Sequence, residues 1–181
     1  MLTITVPKGQ FFQNSTNTFI YSEETELQLE HSLLSLSKWE SKWHKPFLDT
    51  KEKTEEELID YVRCMTINKN VDPKVYLCMD EPTVQKIRDY IDDPMTATWF
   101  NDDKGKGRRN REIVTAEIIY YWMVAQQIPF ECQKWHLNRL LTLIRVCGIK
   151  NTPPKKMSPK AIAKQNRSIN AARRAAHHST G

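Results

Sequence analysis

Acidic residues are missing from the last fifty positions of this chain: none follows Glu131, and eleven lysines and arginines stand there unopposed. Residues 1 to 131 hold the other sixteen bases against all twenty-two acids. Charge balance within the C-terminal end is thereby excluded. An acidic body with a basic end results, and its long-range field draws acidic partners, nucleic acid or the body of another copy. Long apolar runs are missing too. The longest nearly apolar stretch, Ile118 to Ala125, falls far short of the roughly 20 residues a bilayer-crossing helix needs, so no membrane span is expected. The opening MLTITVPKGQFF has no cationic start, long apolar stretch or small-residue cleavage site of a secretory signal. Residence in the cytoplasm of the producing cell is the expectation.

Paired ligand spacing is absent. Cys64, Cys78, Cys132 and Cys147 are scattered among apolar neighbours, and no two form the C-x-x-C spacing that presents two thiolates to one metal. Reduced, buried thiols and no metal or other cofactor are expected. Local catalytic signatures are absent as well: Gly105 and Gly107 lack the G-x-x-x-x-G-K-[ST] spacing, and no H-E-x-x-H, G-x-S-x-G or D-x-[DN]-x-[DN]-G occurs. The chain is therefore not read as an enzyme. His31, His44 and His136 are far apart, each read as a packed or surface residue, while His177 and His178 sit near the C-terminus.

What is present divides into two patterns. Leu2, Ile4 and Val6 alternate with threonines, Phe19 to Tyr21 make a second short run, and Leu27 and Leu29 alternate with Glu26, Gln28 and Glu30. That period of two predicts a small antiparallel sheet over residues 1–30, with turn chemistry at Asn14-Ser15-Thr16-Asn17 between its first two strands and one wet face. Beyond Ser32 the spacing becomes helical: Leu36, Trp39 and Trp43 share one side, Lys38, Glu40 and Lys42 lie elsewhere, and Pro46 stops the helix. Thr54 to Glu57 reads as a capping box opening a helix whose inner face carries Leu58, Tyr61, Val62 and Met65. Asp80, with Pro82 at the first helical position, opens another that turns Val84, Ile87 and Tyr90 or Ile91 inward and ends at Asp92-Asp93-Pro94. Ile118 to Ala125 is apolar nearly all round and is expected at the centre of the core. It should form a hairpin with the helix bearing Leu137, Leu140, Leu141 and Ile144, which Gly148 is placed to terminate.

The fold class is thus α+β: a body over residues 1–151, β-rich over 1–30 and mainly helical over 32–148, followed over 152–181 by a Pro-Pro linker and a basic helical tail. In that tail Lys160, Lys164, Arg167 and Arg174 fall within an arc of roughly 80°, with Ile162, Ile169 and Ala176 opposite and Arg173 landing near the apolar side. Candidate contact residues are Lys155, Lys156, Lys160, Lys164, Arg167 and Arg174 in the tail, and Lys104, Lys106, Arg108, Arg109 and Arg111 in a charged loop. Trp39 and Trp43 join them as a possible apolar anchor, although core packing is the plainer role for each.

Read as strings, LEHSLLSLSKWESKWHKPFL from Leu29, IDDPMTATWF from Ile91, NREIVTAEIIYYWM from Asn110 and IPFECQKWHLNRLLTLIRVC from Ile128 resemble the tail assembly chaperones of tailed bacteriophages, as do PPKKM and NAARR in the tail. The resemblance implies a non-catalytic protein of the host bacterial cytoplasm that binds the long helical tape measure protein and helps tail tube protein assemble around it, with self-association a further expectation. The competing expectation is a virion structural or nucleic-acid-associated protein. Eight bases from Lys150 to Arg174 without an acid would neutralise several phosphates, although the acidic body would repel a duplex.

Overall fold

Pro7 interrupts what is otherwise one continuous β ribbon. In the computed structural model, which describes residues 1–13, 17–100, 113–152 and 159–177, β1 (Leu2–Val6) pairs antiparallel with β4 (Thr25–Leu29), and β2 (Gly9–Gln13) with β3 (Thr18–Ser22). Val6 faces Thr25 and Gly9 faces Ser22, so the register carries straight across the gap. Proline has no N–H for the ladder, and an exposed ion pair, Lys8 to Glu23 at 3.1 Å, spans the break. Two two-stranded sheets therefore replace the single expected sheet. β2 is an addition, because GQFFQ does not alternate, and Asn17, with φ of 52°, belongs to the connection between β2 and β3. The rest of that turn, residues 14–16, lies outside the described residues, as do the charged loop at 101–112 and the linker at 153–158.

Alternation decides which face of β1 and β4 is dry. Ile4, Val6, Leu27 and Leu29 are buried, with Ile4 opposite Leu27 across the pair, while Thr3 and Thr5 are exposed. Against that face pack α2 (Glu55–Met65), a 3-10 turn (Pro73–Cys78) and α3 (Glu81–Asp92), through Tyr61, Met65, Tyr76, Ile87 and Tyr90. Thr54 and Glu57 close the expected capping box on α2, and the Asp80 carboxylate caps α3 with Pro82 in its second position. Leu58 departs from expectation. It sits within the apolar arc of α2, yet it is exposed, on the side of the first turn away from the buried Glu57 and within a groove lined by α2 and α3.

A second apolar cluster forms around Leu33 and Leu36 of α1 (Leu33–Trp43), with Ile119 and Met123 of α4 (Ala116–Ala125) and Leu137 and Leu140 of α5 (Leu137–Asn151). Helix α1 belongs to both clusters, since its Trp39 lies in the first. It ends at His44, which turns the chain in the left-handed region with φ of 52°, two residues before Pro46. Helix α4 is not enclosed on all sides, contrary to the sequence reading. One stripe, Ala116, Ile119 and Met123, is buried, while Tyr121 and Val124 stand 68% and 61% exposed.

Glu40 is the second correction. Placed on the polar side by pattern, it is buried, accepting from the Phe47 N–H at 2.8 Å and the Ala116 N–H at 2.7 Å. The Thr115 side chain makes no cap bond, so this distant carboxylate satisfies the start of α4. Burial raises its pKa. Gly148 is the third correction: α5 runs through it to Asn151. Termination at glycine draws on a positive φ, and no described glycine has one.

The chain separates into two compact units, Met1–Gly148 and Ile149–Gly181. The second contains α6 (Pro159–His177), the expected tail helix. None of the four cysteines is disulfide-bonded, and among the described residues no helix is long and apolar enough to cross a membrane.

Two substitutions check this account. Glu40→Ala leaves two backbone N–H groups without their acceptor and should lower unfolding free energy by about 2–4 kcal/mol, measured by urea denaturation. Gly148→Ala should raise it by roughly 0.5–1 kcal/mol through helix propensity. An added Cβ there meets its nearest atom, Nε2 of Gln126, at an ordinary 3.9 Å.

Candidate functional site

Two histidines separated by most of the chain meet in the interior. His31 lies between β4 and α1, His136 immediately before α5, and their rings contact edge to face with centroids 5.1 Å apart. Their residues are 2% and 6% exposed. The Leu137 N–H donates to the His31 carbonyl at 2.7 Å, and the His31 Nδ1 lies 2.6 Å from the Tyr61 hydroxyl. On the other ring, Nε2 lies 2.9 Å from the Tyr90 carbonyl, which can only accept, so the proton resides on Nε2. The Asn138 N–H points at Nδ1 at 3.3 Å, the arrangement of a neutral imidazole. Asn138 Nδ2 then donates to the carbonyls of Ile91 and Asp93 at 2.9 and 2.8 Å, satisfying the end of α3.

Burial, with a smaller contribution from His136, depresses His31 from an ordinary 6.5 to about 3. Burial likewise raises the Tyr61 and Tyr90 hydroxyls above the usual tyrosine range. Neither imidazole lines either of the two grooves described below. The cluster joins the exit of β4 and the entry of α1 to the end of α3 and the start of α5. Sequence spacing offered no signal for it, because the two histidines approach only when α5 docks beside β4.

Trp39 and Trp43 are held by hydrogen bonds between α1 and α2. Trp39 is 1% exposed, and its indole N–H donates to the Glu57 carbonyl at 2.8 Å. Trp43 is half-buried and donates to Asp60 at 2.9 Å. Around them Lys42 pairs with Asp60 and Lys45 with Glu57, and the Lys45 ammonium, followed by the Thr54 N–H, lowers the Glu57 pKa. These contacts fasten α1 to α2. Trp39 presents no surface to a partner, and that half of the expected anchor is reassigned to the core.

Open apolar surface lies elsewhere. One groove of about 860 Å³ runs between α4 and α5, lined by Leu48, Ile113, Val114, Trp122, Leu141 and Ile144. At its edge the Arg145 guanidinium stacks on Phe100 at 3.9 Å. A second groove, of about 990 Å³, lies along α2 and α3, with Leu58, Val62, Val84 and Ile87 in its floor and charged side chains on its rim. Apolar residues at i, i+3, i+4 and i+7 of an incoming helix would fit such surfaces. Pattern alone missed both grooves, since their linings are the same residues that the periodicity assigns to the core.

The remaining candidates fall in two groups. Lys164, Arg167 and Arg174 are exposed along α6, and Lys160 belongs to that helix. Lys155, Lys156, Lys104, Lys106, Arg108, Arg109 and Arg111 lie outside the described residues. Among the described residues no group of three His, Cys, Asp or Glu is placed to hold a metal ion. Compared with protein-family models, with curated proteins and with solved structures, the chain gives no match.

The His31 pKa sets a pH dependence. Between 6.5 and about 3 the unfolded chain takes up a proton that the folded chain refuses. The contribution is therefore fully present above pH 6.5 and is lost as pH falls through that window, by up to about 1.4 kcal/mol per pH unit. Urea midpoints measured at descending pH should fall for the native chain and fall less steeply for His31→Gln. Equal slopes would assign the loss to other groups.

Proposed function

We propose that this chain is a non-catalytic tail assembly chaperone of a tailed bacteriophage, acting in the host bacterial cytoplasm by holding a helical segment of the tape measure protein while tail tube protein assembles around it. The resemblance of the strings from Leu29, Ile91, Asn110 and Ile128 supplies the partner. The observation that carries the binding mode is the α4–α5 groove, whose lining is mainly apolar. An amphipathic helix with no stable partner of its own gains most from such a surface, since burying each large apolar side chain contributes about 1.5–3 kcal/mol. Glu40 and the His31–His136 joint hold the groove's walls from behind, so the site is formed before the partner arrives. The acidic and basic regions speed encounter without specifying it.

One observation favours a second reading, in which the chain is a virion structural or nucleic-acid-associated protein. Lys164, Arg167, Arg173 and Arg174 are all exposed along one helix, a spacing suited to phosphates. The acidic body opposes it, and no base-reading module accompanies the helix.

Co-expression with fragments of the tape measure protein separates the two. The native chain should keep at least one fragment soluble and co-purify with it. Ile113→Glu, at a groove-lining residue that is 49% exposed, should reduce capture at least tenfold with little change in melting temperature. Purified virions should lack the protein. Failure to hold any fragment, together with steeply salt-dependent binding to duplex DNA, would transfer the assignment to the second reading.

A further inference from the structure

The groove along α2 and α3 and the helix α6 carry complementary features. Leu58, Ile59, Val62, Met79, Val84 and Ile91 give the groove an apolar floor, and Leu58 is exposed within it despite its place on the apolar arc of α2. Its rim carries four carboxylates, Glu55, Glu56, Asp60 and Glu81, against Lys42, Arg63 and Arg88. Those three cations are engaged: Asp60 holds Lys42 and Arg63, and Glu81 holds Arg88. Glu55 and Glu56 form no ion pair among the described residues. The rim is left acidic at the N-terminal end of α2.

Helix α6 has no acid, and its only large apolar residues, Ile162 and Ile169, are both exposed. Seven residues apart, they share one face and stand about 10 Å from each other along the axis. Arg173 breaks the amphipathic pattern of this helix by following Ile169 at i+4, on the isoleucine side. Lys164 and Arg167 point the other way. A helix made only to present a basic ridge has no use for a cation there. A helix that docks its isoleucines beside a carboxylate pair does.

We propose that α6 of one copy docks in the α2–α3 groove of a second copy, with Ile162 and Ile169 on the apolar floor and Arg173 against Glu55 and Glu56. Lys164 and Arg167 remain on the outer side and contribute the attractive field between copies. Each copy carries one groove and one helix, so exchange between two copies fills both grooves in a closed, two-fold pair. Two anchors and one ionic cluster make a small contact, so the pairing is weak and salt-sensitive.

Sedimentation equilibrium of the full chain, without any partner, tests this independently of the tape measure reading. The native protein should self-associate reversibly, more weakly as salt rises. Arg173→Glu should weaken association about tenfold, whereas Lys164→Glu, on the outer side, should weaken it by less than about threefold. Glu55→Arg/Glu56→Arg should also weaken it, and mixing this variant with the Arg173→Glu variant should restore mixed pairs. All substituted residues are exposed, and unchanged melting temperatures confirm that folding is intact. The proposal is overturned by a chain that stays monomeric at every concentration, including one whose α6 is protected from amide exchange independently of concentration. It is equally overturned by association that Arg173→Glu leaves unchanged, or by failure of the mixture to restore pairing.

Discussion

The two apolar clusters of the body are held together by a buried polar joint, and much of the remaining structure depends on it. At His31 and His136 the chain brings together the exit of β4, the entry of α1, the end of α3 and the start of α5. Each of these ends carries backbone groups that burial would leave without partners. The joint satisfies them with one another: the His31 carbonyl takes the Leu137 N–H, the His136 ring donates to Tyr90, and Asn138 donates to Ile91 and Asp93. Burial favours the neutral form of His31 here, because a charged ring would lose its hydration on entering the joint.

A frame fastened at helix ends leaves helix sides free. Helix α4 is fixed at its first turn by Glu40 and along one stripe by Ile119 and Met123, and its Tyr121 and Val124 face is left exposed among the described residues. Helix α2 is fixed by Trp39 at the Glu57 carbonyl and by Trp43 at the Asp60 carboxylate, while Leu58 in its first turn opens on a groove. The exposed apolar surface is thus a consequence of where the polar contacts were placed. Solvated apolar grooves of this kind mark interaction surfaces in proteins that bind helices.

Charge acts on a different scale from these contacts. The imbalance between the acidic body and the basic C-terminal end acts through a long-range field, whereas an apolar groove acts only at contact. Helix α6, with two large apolar residues among many cations, offers too little apolar surface for a core of its own.

The elements were largely legible in the sequence where their causes are local. Thr54 with Glu57 and Asp80 with Pro82 announce helix starts because the capping partners sit within four residues, and Ile4, Leu27 and Leu29 announce strands because a period of two is written along the chain. Pro7 and the unalternating GQFFQ hid β2, whose pairing is inherited from the register of β1 and β4 rather than from its own pattern. Gly148 looked like a stop, but glycine termination draws on a positive φ, and Gly148 keeps a negative one inside a helix that continues to Asn151. Glu40, His31, His136 and the groove linings were decided by tertiary structure alone. Most of their partners lie tens of residues away, and a buried carboxylate is indistinguishable from a solvated one until the N–H groups that require it arrive in space.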